Sequence, residues 1–291
     1  MASRPSATRA LRQLLTRDGI VVAPGVGDAL GARLVEQAGF DAVYMSGFAV
    51  GATHGMADFG LLSFTEMEER ARQLAQAVAV PVIADADNGY GNALNVIRTT
   101  RAFERAGIAA IQLEDQVSPK QCGSIGPARV IPAAEMLGKI KAACDARCDP
   151  DFLLIARTDI ASTQGMEAAI ERAGMYADAG ADMVMALGPY DFDEARRFIG
   201  SARAPVAYLN SESATMPMIP NQELAALGVK LAIFPLSLLL AQIRAMQGVL
   251  AQIKEAGTTQ AISATAMLGF GECNSLLGID ELRRQQSQYL E

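Results

Sequence analysis

The fold this sequence predicts is a (β/α)8 barrel with an added C-terminal helical tail. Eight short, apolar, β-branched runs alternate strictly with eight amphipathic segments, the pattern of parallel strands covered on both faces by helices. A unit in which a helix ends in Ala-Gly and a strand follows recurs as QAGFDAVYM, RAGIAAIQL and DAGADMVMA. No glycine-rich dinucleotide fingerprint follows the first run, so a closed barrel is favoured over a doubly wound sheet.

The expected strands are 19–23, 41–45, 82–85, 109–113, 152–156, 183–186, 206–209 and 231–234, each a continuous apolar run. The expected helices are 28–37, 65–79, 92–105, 133–146, 166–179, 192–201, 222–226 and 237–256, with a short amphipathic helix before the first strand. Gly39, Gly107, Gly180 and Gly228 stand just after four of these helices, where a left-handed cap suits glycine. Residues 1–257 therefore read as the barrel and 258–291 as a helical extension without independent standing. The extension has one clear helix over 279–289 and apolar residues (Leu268, Phe270, Leu277) that need burial against the barrel or another subunit. A homo-oligomer, a dimer of dimers, is the expected assembly.

Composition narrows the function. Of 291 residues, 51% are hydrophobic, enough for a large core. A net charge of −7 argues against nucleic acid, which needs clustered Lys and Arg, and leaves small anions open. The longest apolar run, 231–243, contains Pro235 and is too short for a bilayer, which needs about 20 residues. The Arg- and Ser-bearing start is expected to form the short helix rather than a transit peptide. Cys122, Cys144, Cys148 and Cys273 lack metal-site spacing and are expected to be reduced thiols in the cytoplasm.

Active sites of such barrels lie at the C-terminal strand ends, and here those ends are rich in charge. The second strand ends in Tyr44-Met45-Ser46-Gly47, the third in Asp85-Ala86-Asp87-Asn88, the fourth in Glu114-Asp115-Gln116, the fifth in Arg157-Thr158-Asp159 and the seventh in Asn210-Ser211-Glu212. Carboxylates crowded near a core need a counter-charge. Oxygen-only donors suit a hard divalent cation, Mg2+ with Mn2+ as a substitute. Asp85 and Asp87, two apart, would face one side of a regular strand, and Glu114 on the next strand would complete the shell. The competing reading of any one of these carboxylates is a helix cap.

The segments VYMSG, IADADNGYGN, IQLEDQ, PKQCG and IARTD, in this order and spacing, resemble the isocitrate lyase and phosphoenolpyruvate mutase superfamily. The methylisocitrate lyase and dimethylmalate lyase branch is the nearest in pattern. The resemblance runs from about Val21 to the C-terminus. It implies a barrel whose last helix swaps between subunits, and Mg2+-dependent cleavage of a carbon–carbon bond in a small 2-hydroxy di- or tricarboxylate. It implies that Asp85 and Asp87 are the Mg2+-associated aspartates, with Asp58 and Glu114 as outer acidic positions. Ser46, Gly47 and Arg157 would hold the substrate. Cys122 would be the catalytic cysteine, with Lys120 on the same mobile loop and Tyr44 near the substrate hydroxyl.

A retro-aldol cleavage fits these residue types: Tyr44 takes the hydroxyl proton, Arg157 and donors around Gly123 steady the developing charge, and Cys122 protonates the carbanion. Lys120 is expected to draw the thiol toward thiolate. Asn210 and Glu212 are further substrate candidates. Two departures from the family pattern point to an altered pocket for the second half of the substrate. Ser124 stands where the lyases carry histidine, and Leu187 where the sixth strand usually ends in glutamate. An oxaloacetate decarboxylase or hydrolase, a phosphonate enzyme and a catalytically degenerate binding barrel stay open beside the lyase. His54, the only histidine, reads as a loop residue, and Cys144 and Cys148 as packing residues.

Overall fold

In the computed structural model, which describes residues 6–188, 190–213 and 215–290, the eight strands all form and all pair in parallel. They are β1 (Val21–Val26), β2 (Val43–Met45), β3 (Val82–Asp85), β4 (Ala110–Glu114), β5 (Leu153–Thr158), β6 (Met183–Ala186), β7 (Ala207–Leu209) and β8 (Leu231–Phe234). Their order around the sheet is β6-β5-β4-β3-β2-β1-β8-β7. A parallel bridge between Val184 and Val206 joins β6 to the start of β7, which brings the two ends of the sheet together. The barrel is therefore nearly closed, as the repeat predicts.

Helices lie between the strands: α1 (Ala7–Thr16), α2 (Ala29–Gln37), α3 (Gly47–Thr53), α4 (Phe64–Ala77), α5 (Ala93–Arg105), α6 (Ala133–Ala146), α7 (Ala161–Asp178), α8 (Phe192–Ser201) and α9 (Asn221–Ala226). After β8 come α10 (Ser237–Ala256), α11 (Ser263–Ala266), α12 (Phe270–Leu276) and α13 (Ile279–Tyr289). Local chemistry starts several of them. Asp28 caps α2 through Gly31 N at 2.8 Å, and Ser63 and Asn92 close capping boxes on α4 and α5. The four glycines expected after helices all have φ between 85° and 107°.

The strand runs are buried almost throughout, with Ile83, Ile111, Leu113 and Ile155 at 0–1% exposure, so the interior is a packed core. Differences from expectation are local. β1 begins two residues and ends three residues later, because Pro24 continues the pairing with β8 and Gly25 and Val26 pair with β2. Gly25 lies so near Pro235 that a Cβ would meet its Cα at 2.6 Å. Residues 47–53, among which no helix is expected from the sequence, form α3, capped by the Ser46 hydroxyl on Ala49 N at 3.3 Å. α7 starts five residues early because two helices meet across a kink at Gly165.

The chain divides into two compact units, one ending at Leu238 and the other beginning at Leu239. The second is helical and exposes Leu250, Leu268 and Phe270 to solvent. No helix among the described residues is long and apolar enough to cross a membrane.

Candidate active site

A narrow cleft of about 40 Å³ opens at the C-terminal strand ends, lined among others by Tyr44, Ser46, Asp58, Asp85, Lys120, Cys122 and Arg157. Backbone geometry sets its floor. Asp85 ends β3, and the chain then turns so that Asp87 sits at φ 48° and Tyr90 at φ 59°. A left-handed conformation is costly for a residue with a Cβ, and such strain gathers at functional sites. This turn, rather than strand alternation, brings the two aspartates together. Their oxygens converge on Gly47, where an added Cβ would lie 2.8 Å from Asp85 Oδ2 and 3.4 Å from Asp87 Oδ1. Gly47 N donates to Asp85 Oδ2 at 3.3 Å, and Asp87 N to Asp85 Oδ1 at 3.0 Å. Glycine is required at 47 by space.

Two cations offset the acidic cluster. Lys120 Nζ lies 2.6 Å from Asp58 Oδ1 and 2.7 Å from Asp87 Oδ1. Arg157 forks onto Asp159, Nε to Oδ1 at 2.6 Å and Nη2 to Oδ2 at 2.7 Å, while Nη1 reaches Glu114 Oε2 at 3.1 Å. All five groups around these pairs other than Asp58 are nearly inaccessible. Burial pushes the Asp87 carboxyl up to about 6 against the pull of Lys120, and burial likewise raises Glu114 against Arg157. Burial alone would lower Lys120, but Asp87, Glu114, Asp85 and Asp58 together hold it well above its ordinary value.

A single strand-end network holds Asp159 in place. Asp115, fully buried, accepts from Thr158 Oγ1 at 2.7 Å, Asp159 N at 3.0 Å, Arg172 Nη1 at 3.0 Å and Tyr176 Oη at 2.7 Å. Gln116 Nε2 donates to Asp159 Oδ2. Buried Lys139 of α6 donates to Asn88 O at 2.9 Å and props the aspartate turn from behind.

The cysteine loop lies over the cleft. Cys122 N donates to Asp58 O at 2.9 Å, tying this loop to the one after α3. A Cβ on Gly123 would lie 2.8 Å from Leu187 Cδ2 and 2.9 Å from Asp159 Oδ2, so its backbone rests on Leu187 and the Asp159–Arg157 pair. The expected pull of Lys120 toward thiolate is outweighed: burial pushes the Cys122 thiol up, and Lys120 and Arg157 only moderate this. Tyr44 Oη donates to Gln112 Oε1 at 3.0 Å, and burial together with Asp85 pushes its phenol far up. At neutral pH both groups carry their protons.

Whether the acidic residues suit a divalent ion is decided by their free oxygens. Glu114 Oε1 is buried with no hydrogen-bond partner among the described residues, an arrangement that calls for a ligand. No three His, Cys, Asp or Glu side chains among those residues form a ready-made inner shell. The unpartnered Glu114 oxygen is open to a ligand, and an ion held by these residues would be one such as Mg2+, which keeps most of its waters and needs few direct carboxylates.

Asn210 and Glu212, expected to bind substrate, do not line the cleft. Both ends of the Asn210 amide are used by Ile219, Nδ2 donating to its carbonyl at 2.7 Å and Oδ1 accepting from its N–H at 3.1 Å. Glu212 is exposed and accepts from Ser237 Oγ. Ser211, between them, lines the cleft instead, with Phe48, Leu209, Pro235 and Leu236. Sequence reasoning missed these four, although the strand-end rule reaches Leu209 and Pro235. His54 is exposed, with Nε2 3.5 Å from Arg70 Nη2. The four cysteines are unpaired, and Cys144 donates to Gly180 O at 3.3 Å.

A family model described as phosphoenolpyruvate phosphomutase matches residues 11–254. This chain belongs to the phosphoenolpyruvate mutase/isocitrate lyase superfamily. It is 42% identical over 280 residues to a 2,3-dimethylmalate lyase of Eubacterium barkeri, covering 96% of each chain. A phosphoenolpyruvate phosphomutase of Streptomyces platensis subsp. rosaceus superposes with TM-score 0.93 at 34% identity, covering 99% of this chain and 100% of the other. A phosphonopyruvate hydrolase in complex with oxalate and Mg2+ gives TM-score 0.90 at 31% identity, covering 99% and 100%. The protein is an enzyme of this superfamily, whose lyases are among its relatives.

Proposed function

We propose that this superfamily member is a Mg2+-dependent carbon–carbon lyase. Its substrate is a small 2-hydroxy di- or tricarboxylate of methylisocitrate or dimethylmalate type, and its products are an α-keto acid and a carboxylate. One observation carries the reading: Asp85, Lys120, Arg157 and the Cys122 thiol line one cleft, with Asp87 and Glu114 ion-paired to that Lys120 and Arg157. The match to a dimethylmalate lyase and the Mg2+-bound superfamily neighbour support it.

Asp85, Asp87 and Glu114 would hold the ion, which when bound supplies Lewis-acid polarisation of the substrate's oxygens. The Ser46–Gly47 turn binds one substrate carboxylate, and Arg157, clamped by Asp159, offers charge to the other. Tyr44, expected to take the hydroxyl proton, already carries its own beside Asp85 and orients the hydroxyl instead, so that proton passes to an ionised carboxylate of the Asp85–Asp87 cluster. The carbon–carbon bond then breaks with its electrons passing to the departing carboxylate fragment, and the protonated Cys122 thiol gives that carbon its proton. Lys120 holds the two loops together through Asp58 and Asp87 and keeps water out.

We also infer a cytoplasmic homotetramer with an exchanged C-terminal helix. The exposed Leu250, Leu268 and Phe270 support this, as does an apolar groove lined by Val22, Leu34, Phe40 and Phe234. The test is a screen of hydroxy-di- and tricarboxylates coupled to keto-acid detection, with and without EDTA, alongside phosphonates read by phosphorus NMR. Keto-acid release that stops with EDTA and returns with Mg2+ is expected. Turnover of phosphonates alone, or none, defeats the lyase reading.

A further inference from the structure

The cysteine loop leaves β4 through Gln116 and returns through Val130. These two residues pair across its base as an antiparallel bridge, and Val117 N donates to Arg129 O at 2.8 Å. Gln116 is only 2% exposed, and its side chain is used at both ends. Oε1 accepts from Gln121 N at 3.0 Å, and Nε2 donates to Asp159 Oδ2. Its carbonyl accepts from Asn88 Nδ2 at 3.3 Å, so the aspartate turn is tied to the same residue. No step of the lyase reaction uses this buried amide.

Asp159 Oδ2 is a shared acceptor. It takes Arg157 Nη2 at 2.7 Å as well as Gln116 Nε2. A Cβ on Gly123 would lie 2.9 Å from the same oxygen and 3.2 Å from Arg157 Nη2. The loop therefore meets the arginine pair twice within three residues, at Gln121 through the Gln116 amide and at Gly123 by its backbone. Cys122 stands between the two contacts. A glutamine suits position 116 because one group must donate to a carboxylate while the other accepts from a backbone N–H. Glutamate offers only acceptors and would set a second carboxylate against Asp159. Methionine fills the space with no donor and only a weak acceptor.

We infer that Gln116 is a positioning residue that registers the cysteine loop on the Arg157–Asp159 pair. It thereby sets where the Cys122 thiol stands relative to a carboxylate held by Arg157. Gln116 does not line the cleft and acts through its neighbours. Its value to turnover rests on the lyase reading above, since it acts through Cys122; the placing of the loop does not.

The experiment compares the full-length, Mg2+-loaded wild type with Gln116→Met and Gln116→Glu. Iodoacetamide labelling of Cys122 at pH 9, read by peptide mass spectrometry, should be at least about tenfold faster in both variants, since each loses a buried bond to a charged acceptor. On the substrate found by the screen, kcat should fall about tenfold or more, while KM and the calorimetric Kd for oxalate should stay within about threefold. A packing role alone would leave Gln116→Met like wild type, and a role through Gln121 alone would leave Gln116→Glu like wild type; either result overturns the inference. Should neither variant fold, hydrogen exchange of the wild-type Gln121 amide decides. Protection of at least about tenfold over an unstructured peptide is expected, and free exchange overturns the inference. Labelling and exchange need no turnover, so their failure strikes the role of Gln116 alone, whereas absence of keto-acid release from every hydroxy acid strikes the lyase reading alone.

Discussion

Replacing Cys122 by alanine tests the chemistry most directly, because the thiol lines the cleft while the cations and carboxylates below it pair without it. A positioned general acid is worth about 10²–10⁴ in rate, so Cys122→Ala should lower kcat by that factor. Cys122→Ser, whose hydroxyl is a far weaker acid, should recover little. The thermal midpoint should move by only a few degrees, since the side chain is partly exposed and small.

The pH dependence follows from the direction of the thiol's shift. Even at its ordinary value of 9.0 a thiol is about 1% ionised at pH 7, and burial lowers that fraction further. Because the acid works when protonated, kcat should not fall between pH 7 and 9 through this group, and should fall above its raised pKa. Alkylation by iodoacetamide needs the thiolate, so its rate should be slow at pH 7 and rise about tenfold per pH unit toward pH 9. The assay pairs a keto-acid stopped-flow trace with mass-spectrometric labelling of Cys122. A Cys122→Ala enzyme that keeps more than a tenth of kcat, or labelling that plateaus below pH 8, would refute the reasoning.

Lys120→Met leaves Asp87 buried without its cation; breaking such a pair costs about 3–5 kcal/mol, so Tm in EDTA should fall by about 6–12 °C. An unchanged Tm by calorimetry would mean that the pair contributes nothing to the fold. Arg172→Met removes a cation from fully buried Asp115 and loosens the network that orients Asp159 and Arg157. It should cost about 2–4 kcal/mol and raise KM for the substrate more than Arg172→Lys does. Equal KM values in the two variants would remove Arg172 from that role.

Much of the site was legible because its signals are local. Asp85, Glu114 and Arg157 follow apolar runs directly, so finding a strand's end also finds the candidate residue. Asp87 was found for a different reason than the one that holds: a left-handed turn, invisible in strand periodicity, aims it at Asp85. Asn210 and Glu212 occupy an equally promising strand end, yet the Asn210 amide is consumed by the Ile219 backbone nine residues later and Glu212 points to solvent. Hydrogen bonds of that kind depend on how a loop folds back, which residue type does not reveal.

The sequence by itself determined the alternation of strands and helices, the glycine caps, the acidic strand ends and the cysteine loop, because each depends on neighbours a few residues away. Closure of β6 onto β7 decided the rest. Only when the two ends of the sheet meet do Leu187, Leu209 and Pro235 line the same cleft as Asp85 and Arg157. The shifts of Cys122, Tyr44 and Glu114 were likewise settled in three dimensions, since burial, a property of the packed chain, outweighs the charges that the sequence places nearby.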